Sequence, residues 1–243
     1  MIQYGPYFII GCGRSGTHYL ASILDTSEKI HVTYEDPAIF PHVVDSVTKS
    51  PDCLDNAIEQ YRKLMQEHTI YVDKSHPNLF NVDRLLHEFP NARFIGIYRD
   101  AFQTITSMIA HGCANWGNRY SELMFPNAFL GLTETNYDEY AAASLAERCL
   151  CRWESHFDEL QKVVNKYSDR VLVVSYAQLV NDPQRQVQRL SNFVGADLTV
   201  VHPIREAIHK WKKTLTEFNY EQICALKASH TPRNYIYVRK EML

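Results

Sequence analysis

The chain has 243 residues, enough for a sizeable core in one large domain or two small ones. Its 45% hydrophobic and 22% charged residues are ordinary for a globular protein, and a net charge of −3 leaves no global field to attract nucleic acid or an anionic membrane. An anionic ligand must therefore be held by local charges and backbone dipoles. The six cysteines form no CxxC pair, and Cys149 and Cys151 are too close for a zinc knuckle. They read as reduced thiols of a cytoplasmic protein. No basic leader precedes the first apolar run, and no window approaches the roughly 20 apolar residues of a membrane span, so neither a signal peptide nor a membrane anchor is expected.

In chain order, Tyr7-Phe8-Ile9-Ile10 predicts a buried strand ending at a glycine-rich turn. Residues 17–24 predict a helix with Leu20, Ile23 and Leu24 on one face. Residues 30–33 are strand-like, 56–67 an amphipathic helix, 70–72 a short strand, and 79–89 a helix stopped near Pro90. Arg93-Phe94-Ile95-Gly96-Ile97-Tyr98 predicts a strand and 102–110 a helix. Residues 112–138 mix Gly, Asn, Pro and aromatics without a sustained period and read as a long loop or lid. A helical stretch over 140–167 follows, then a buried strand over 170–175 and a helix opened by Asp182-Pro183 that runs to 193. Helical patterns return around 204–213 and 217–228. No repeat or linker-like stretch divides the chain, so one domain over residues 1–243 is expected. Strands alternating with helices imply an α/β fold: three layers, with a central parallel sheet and helices on both faces.

Between the first strand and the first helix stands Gly11-Cys12-Gly13-Arg14-Ser15-Gly16-Thr17-His18, with the Gly-x-x-x-x-Gly spacing of a P-loop. Glycines let successive N–H groups turn inward, and the helix start adds unpaired donors and a partial positive charge. A nucleoside triphosphatase needs Lys next, then Ser or Thr for magnesium. Here Thr17 and His18 stand at those positions, and imidazole is a poor ligand for a hard cation. The positive charge lies inside the loop, as Arg14, which suits a phosphosulfate handled without metal.

Arg14-Ser15-Gly16-Thr17 resembles the first signature of the sulfotransferases that use 3′-phosphoadenosine-5′-phosphosulfate (PAPS). The resemblance runs roughly from Phe8 to Trp211 and is closest to carbohydrate-type and bacterial members. It implies a P-loop nucleotide-binding fold in which Gly13, Arg14, Ser15, Gly16, Thr17 and His18 cradle the 5′-phosphosulfate. His18 stands where the family usually has Ser or Thr. Arg99, with Ser107 eight residues on, resembles the second signature and by that resemblance binds the 3′-phosphate. The physics agrees, since Arg forks onto phosphate oxygens. Tyr176, in Val174-Ser175-Tyr176-Ala177-Gln178-Leu179, corresponds to a tyrosine near the adenine, with Ala177 and Gln178 replacing the acids of relatives.

Sulfuryl transfer needs a base for the acceptor proton, cations for the leaving oxygen and an in-line geometry. Arg14 and Lys74 are the expected cations, Lys74 lying just after a short strand. Two residues compete as base. Glu35 follows the second strand-like segment, as in the Glu-using relatives. His76, in Lys74-Ser75-His76, resembles the Lys-Thr-His segment of cytosolic small-molecule sulfotransferases. Glu35 ranks first because the rest of the chain resembles its branch, and Asp36 is a third choice. His111, Trp116, Tyr120 and Phe125 are either a sugar-stacking wall or the lid's own small core. Lys210, Lys212 and Lys213 either assist the donor or form a solvated helix face.

The resemblance thus implies transfer from PAPS to a hydroxyl or amine of a carbohydrate or small-molecule acceptor, with PAP as product and no metal. It implies no nucleic-acid partner, and a homodimer is left open. The alternatives are a P-loop kinase-like phosphotransferase, opposed by the missing Lys, and a non-catalytic nucleotide-binding module, opposed by Arg14, Lys74 and two base candidates.

Overall fold

The structure is a computed structural model, and it describes residues 5–201 and 216–229. Five parallel strands, β1 (Tyr7–Gly11), β2 (Ile30–Tyr34), β3 (Ile70–Lys74), β4 (Arg93–Tyr98) and β5 (Val171–Ser175), form one sheet in the order β2-β3-β1-β4-β5. Around them lie α1 (Thr17–Leu24), α2 (Phe40–Thr48), α3 (Leu54–Glu67), α4 (Val82–Glu88), α5 (Ala101–His111), α6 (Tyr137–Ala142), α7 (Leu145–Lys166), α8 (Tyr176–Asn181), α9 (Pro183–Val194) and α10 (Glu217–Ser229).

The period of two along a strand explains the layers. On β1, Tyr7 and Ile9 face a core built with Leu20, Ile23 and Leu24 of α1 and Val187 and Leu190 of α9. Phe8 and Ile10 face the opposite core, with Tyr61 of α3, Leu85 of α4, Ile105 of α5 and Trp153 of α7. With both faces covered, the central strand reads as a continuous apolar run. Helices therefore cover both faces of the sheet, as expected.

The strand order then makes the site. From β1 the chain goes out to β2, returns to β3 beside β1, and crosses to β4 and β5 on the other flank. The connections diverge at β1, and the crevice at the strands' carboxyl ends is where such sheets bind ligands. The residues emerging there are Gly13 and Arg14 after β1, Glu35 after β2, Lys74 and His76 at the end of β3, Arg99 after β4 and Tyr176 after β5. Every strand end delivers a residue that the sequence nominates.

Several elements differ from expectation. The helix expected over 79–89 begins as 3-10 turns (His76–Asn81) and becomes α-helical only at Val82. The stretch 140–167 is broken at Ala143, which is extended, and Ser144 restarts it with a capping box to Glu147. The 112–138 segment carries 3-10 turns over Cys113–Glu122, and Phe129, Leu130 and Leu132 pack with Tyr140 and Val47 into a core of their own. Helix α2 is an addition: Pro41 and its β-branched residues depress the helical signal, but Val43 and Val47 are buried by neighbours. Helix α8 is also an addition. The expected helix around 204–213, with Lys210, Lys212 and Lys213, lies outside the described residues. Among the described residues no helix is long and apolar enough to cross a membrane.

The carboxyl end of β3 is fixed by Asp73, a residue with no sequence signal of its own. One carboxylate oxygen accepts from the hydroxyls of Thr33 (3.2 Å) and Ser75 (3.1 Å). The other accepts from Tyr61 Oη (3.0 Å), the Ser75 N–H (3.0 Å) and Asn78 Nδ2 (3.1 Å). Burial outweighs these donors and raises the Asp73 carboxyl to about 6, so it is mostly ionised at neutral pH. Asp73→Ala strands several buried donors and is expected to cost about 2–4 kcal/mol. Asp73→Asn is milder, about 1 kcal/mol, because the Thr33 and Ser75 hydroxyls can turn to accept from its amide. Urea unfolding of both variants checks this, and equal losses would contradict it.

Candidate active site

The loop after β1 takes a shape that two glycines permit. Gly16 has φ 100°, and a Cβ there would lie 2.3 Å from Tyr176 Cδ2. A Cβ on Gly13 would come within 2.9 Å of His76 Nε2. Tyr176 and His76 thus close directly on the loop backbone. Arg14, also left-handed at φ 71°, donates from Nε to Ser107 Oγ at 3.2 Å. Arg99 Nη1 donates to the Arg14 carbonyl at 3.5 Å, and its guanidinium lies 4.4 Å from the Tyr176 ring centre. Trp153 Nε1 holds the Arg99 carbonyl at 3.1 Å. Arg14, Arg99, Ser107 and Tyr176, nominated from separate segments, are one contact network.

Ser15 is fully buried, and its hydroxyl has no hydrogen-bond partner. It lines a small cavity with Tyr98, Trp153 and His156, while its N–H closes a turn onto the Cys12 carbonyl at 3.2 Å. Thr17 and His18 face the main cleft. The His18 ring sits 6.2 Å from that of Tyr34, and burial and the nearby Lys74 charge lower its proton affinity.

The cleft measures about 360 Å³. Arg14, Lys74, Arg152 and Glu35 supply its charge, and Phe40, Val44, Trp116 and Phe129 its apolar walls. Glu35 has φ 50°, a left-handed conformation rare outside glycine that stores backbone strain. Its N–H donates to the Lys74 carbonyl at 3.3 Å, and the Lys74 ammonium donates to Glu35 Oε1. His76 Nδ1 is 3.6 Å from the same oxygen, beyond a hydrogen bond, and both ring nitrogens are buried without hydrogen-bond partners among the described residues. Burial pushes the Glu35 carboxyl up, but the hydrogen-bonded Lys74 cation outweighs it and holds it at about 2. Burial, only partly offset by Glu35, lowers Lys74. Burial also drives His76 down to about 4, so its imidazole is neutral at pH 7.

Other nominated residues divide. His111 and Trp116 line the cleft. Tyr120 instead packs edge-on against Tyr137 and Tyr140, and Phe125 packs on Tyr137 while half exposed. Asp36 is engaged in a turn, accepting from the Ala38 N–H at 2.8 Å. The sequence reading overlooks Phe40, Phe129, Arg152 and His156. His156 ties the end of β1 to the lid: Nδ1 lies 3.3 Å from the Gly11 carbonyl and Nε2 3.0 Å from that of Phe129. Arg152 and His156 sit four residues apart on the inward face of α7, in phase with Cys149, Trp153 and Leu160. That polar pair inside an apolar stripe was the available signal.

Because the folded pKa of Glu35 is depressed, its pair with Lys74 stabilises the fold above the ordinary 4.5 and is lost as pH falls toward 2. A carboxyl-detected NMR titration should place Glu35 well below 4.5, and Lys74→Met should move it toward or past 4.5. A midpoint that does not move in the variant would contradict the pairing.

The model of the Sulfotransferase family matches residues 49–200. Among solved structures, a sulfotransferase from Alicyclobacillus acidocaldarius is 14% identical with a TM-score of 0.52, over 92% of this chain and 94% of that one. The sulfotransferase domain of the curacin biosynthetic pathway is 14% identical with a TM-score of 0.57, over 94% and 99%. The sulfotransferase domain of the Synechococcus PCC 7002 olefin synthase is 14% identical with a TM-score of 0.52, over 93% and 96%. At such identities these likenesses speak to the fold. A comparison with curated proteins found no match. The segment matched by the family model spans more than half of the chain and carries Lys74, His76, Arg99, Ser107 and Tyr176, and the protein belongs to the sulfotransferase family.

Proposed function

We propose that the protein transfers a sulfuryl group from PAPS to a hydroxyl or amine of a carbohydrate or small-molecule acceptor. The observation that carries this reading is the convergence of two networks on one crevice. Arg14, Ser107, Arg99 and Tyr176 form the first, and Lys74, Glu35 and His76 the second.

The residues present fit the donor. The loop from Gly13 to His18, with Arg14 inside it, offers a helix start and a guanidinium to the 5′-phosphosulfate. Ser107 and Arg99 supply a hydroxyl and a fork for the 3′-phosphate, and the Tyr176 ring, already beneath a guanidinium, suits the adenine. When bound, PAPS supplies an activated sulfuryl group, with PAP left as product. Lys74 is nearly buried, at 1% exposure, and is paired with Glu35. As Lys74 turns to an anion held in the loop, Glu35 loses the cation that depresses it, and its burial then raises its proton affinity. The same movement supplies a cation and readies a base. Glu35 is favoured over His76 because its side chain is 30% exposed against 11% for His76, so an acceptor reaches it more readily. His76 remains a neutral ring against the loop and the carboxylate.

Arg14→Ala and Arg99→Ala should each weaken PAP binding about tenfold to a hundredfold in calorimetry; unchanged affinity in both would remove the donor assignment. Glu35→Gln should retain PAP binding and lose about a hundredfold or more in turnover. If His76→Ala loses turnover and Glu35→Gln does not, the order of the two bases is reversed.

A further inference from the structure

The cleft holds a cation that the donor reading does not use. Among the described residues, Arg14, Lys74 and Arg152 line it against a single carboxylate, Glu35. Lys74 is paired with Glu35, and Arg14 sits in the loop on Ser107. Arg152 is 5% exposed. Its Nη1 donates to the Cys113 carbonyl at 3.3 Å, and its guanidinium lies 4.2 Å from the Phe129 ring centre. Its Nε is buried without a hydrogen-bond partner among the described residues. Among the described residues no carboxylate forms an ion pair with it.

A guanidinium taken from water without a counter-ion costs several kcal/mol, more than one carbonyl and one ring return. An anion brought into the cleft offsets that cost, and Arg is the side chain suited to receive carboxylate or phosphate in two parallel bonds. The contacts of Arg152 separate it from the donor network. Cys113 and Phe129 belong to the 112–138 segment, whereas Arg14, Arg99, Ser107 and Tyr176 gather at the loop. Arg152 is nevertheless close enough for its charge to act on His76, the neighbour of Glu35.

Building on the proposed function, we infer that the acceptor is itself an anion: it presents a hydroxyl or amine to Glu35 and a carboxylate or phosphate to Arg152, with Trp116 and Phe129 as its apolar wall. Arg152 is then a specificity-determining residue that reads the acceptor's charge.

The test uses matched pairs that differ in that charge: mandelate and mandelamide, glucuronate and glucuronamide, glycerol phosphate and glycerol. Binding of each to the PAP-saturated full chain is measured by calorimetry, and transfer from PAPS by mass spectrometry. At least one anion should bind about tenfold or more tighter than its neutral partner, and the carboxylate and phosphate pairs show which anion is read. Arg152→Gln should reduce that preference about tenfold to a hundredfold, acting on KM more than on kcat. Arg152→Lys should recover part of it, keeping the charge without the fork. PAP affinity, the control for folding, should stay within about twofold, because Arg152 lies outside the donor network. The inference is overturned if no anion outbinds its neutral partner, or if Arg152→Gln leaves the preference intact. It is also overturned if Arg152→Gln weakens PAP as Arg14→Ala is expected to, which would assign Arg152 to the donor. In each of these cases the donor reading stands; failure of PAP to bind the unaltered protein removes both.

Discussion

A parallel sheet returns the chain to the same edge after every strand, and here that constraint builds the site. Five carboxyl ends meet at one crevice, and the order β2-β3-β1-β4-β5 opens it beside β1. None of the residues delivered there is adjacent in sequence to its working partner. Arg14 meets Ser107, Lys74 meets Glu35, and Arg99 meets Tyr176, because strands from 40 to 86 residues apart in numbering lie side by side in register. The Asp73 cluster keeps the β3 end from fraying, so Lys74 and His76 project from a fixed platform.

Electrostatics then sets the resting state. Among the described residues the cleft has one carboxylate, Glu35, and it is held by Lys74. A carboxylate at about 2 is a poor base, and an ammonium on a carboxylate is a poor electrophile. In the proposed reaction the pair becomes useful when an anion competes for Lys74, which would link occupancy of the loop to readiness of Glu35. Such linkage would keep the base quiet until an anion is bound. The left-handed backbone at Glu35 fits this picture, since a strained residue is held where the chemistry needs it.

Much of this was legible in the residues, and what was not has physical causes. Helix α1 and strand β4 begin and end where period and glycine placed them, because their patterns are unbroken. Helix α2 escaped because propensity opposed it and tertiary burial overruled propensity. Arg14 was visible because glycines announce its loop, and Arg99 because, with Ser107, it resembles the family's second signature. Arg152 and His156 were marked only by their phase with the apolar stripe of α7, and what they touch is set by the lid folded over them. Tyr120 and Phe125 illustrate the converse: lid aromatics are conspicuous in a sequence, yet these two pack on Tyr137. His18 has acquired a position, at the cleft beside Tyr34, and a low proton affinity caused by its burial and by Lys74.

The central claim is that the crevice is made for an adenosine bisphosphate and not for a magnesium triphosphate. Competition calorimetry of PAP, adenosine monophosphate and ATP, each with and without magnesium, tests it most directly. The account predicts that PAP binds tightest, that loss of the 3′-phosphate costs about tenfold or more, and that magnesium leaves PAP affinity unaltered. Magnesium ATP binding tighter than PAP, or indifference to the 3′-phosphate, would contradict it.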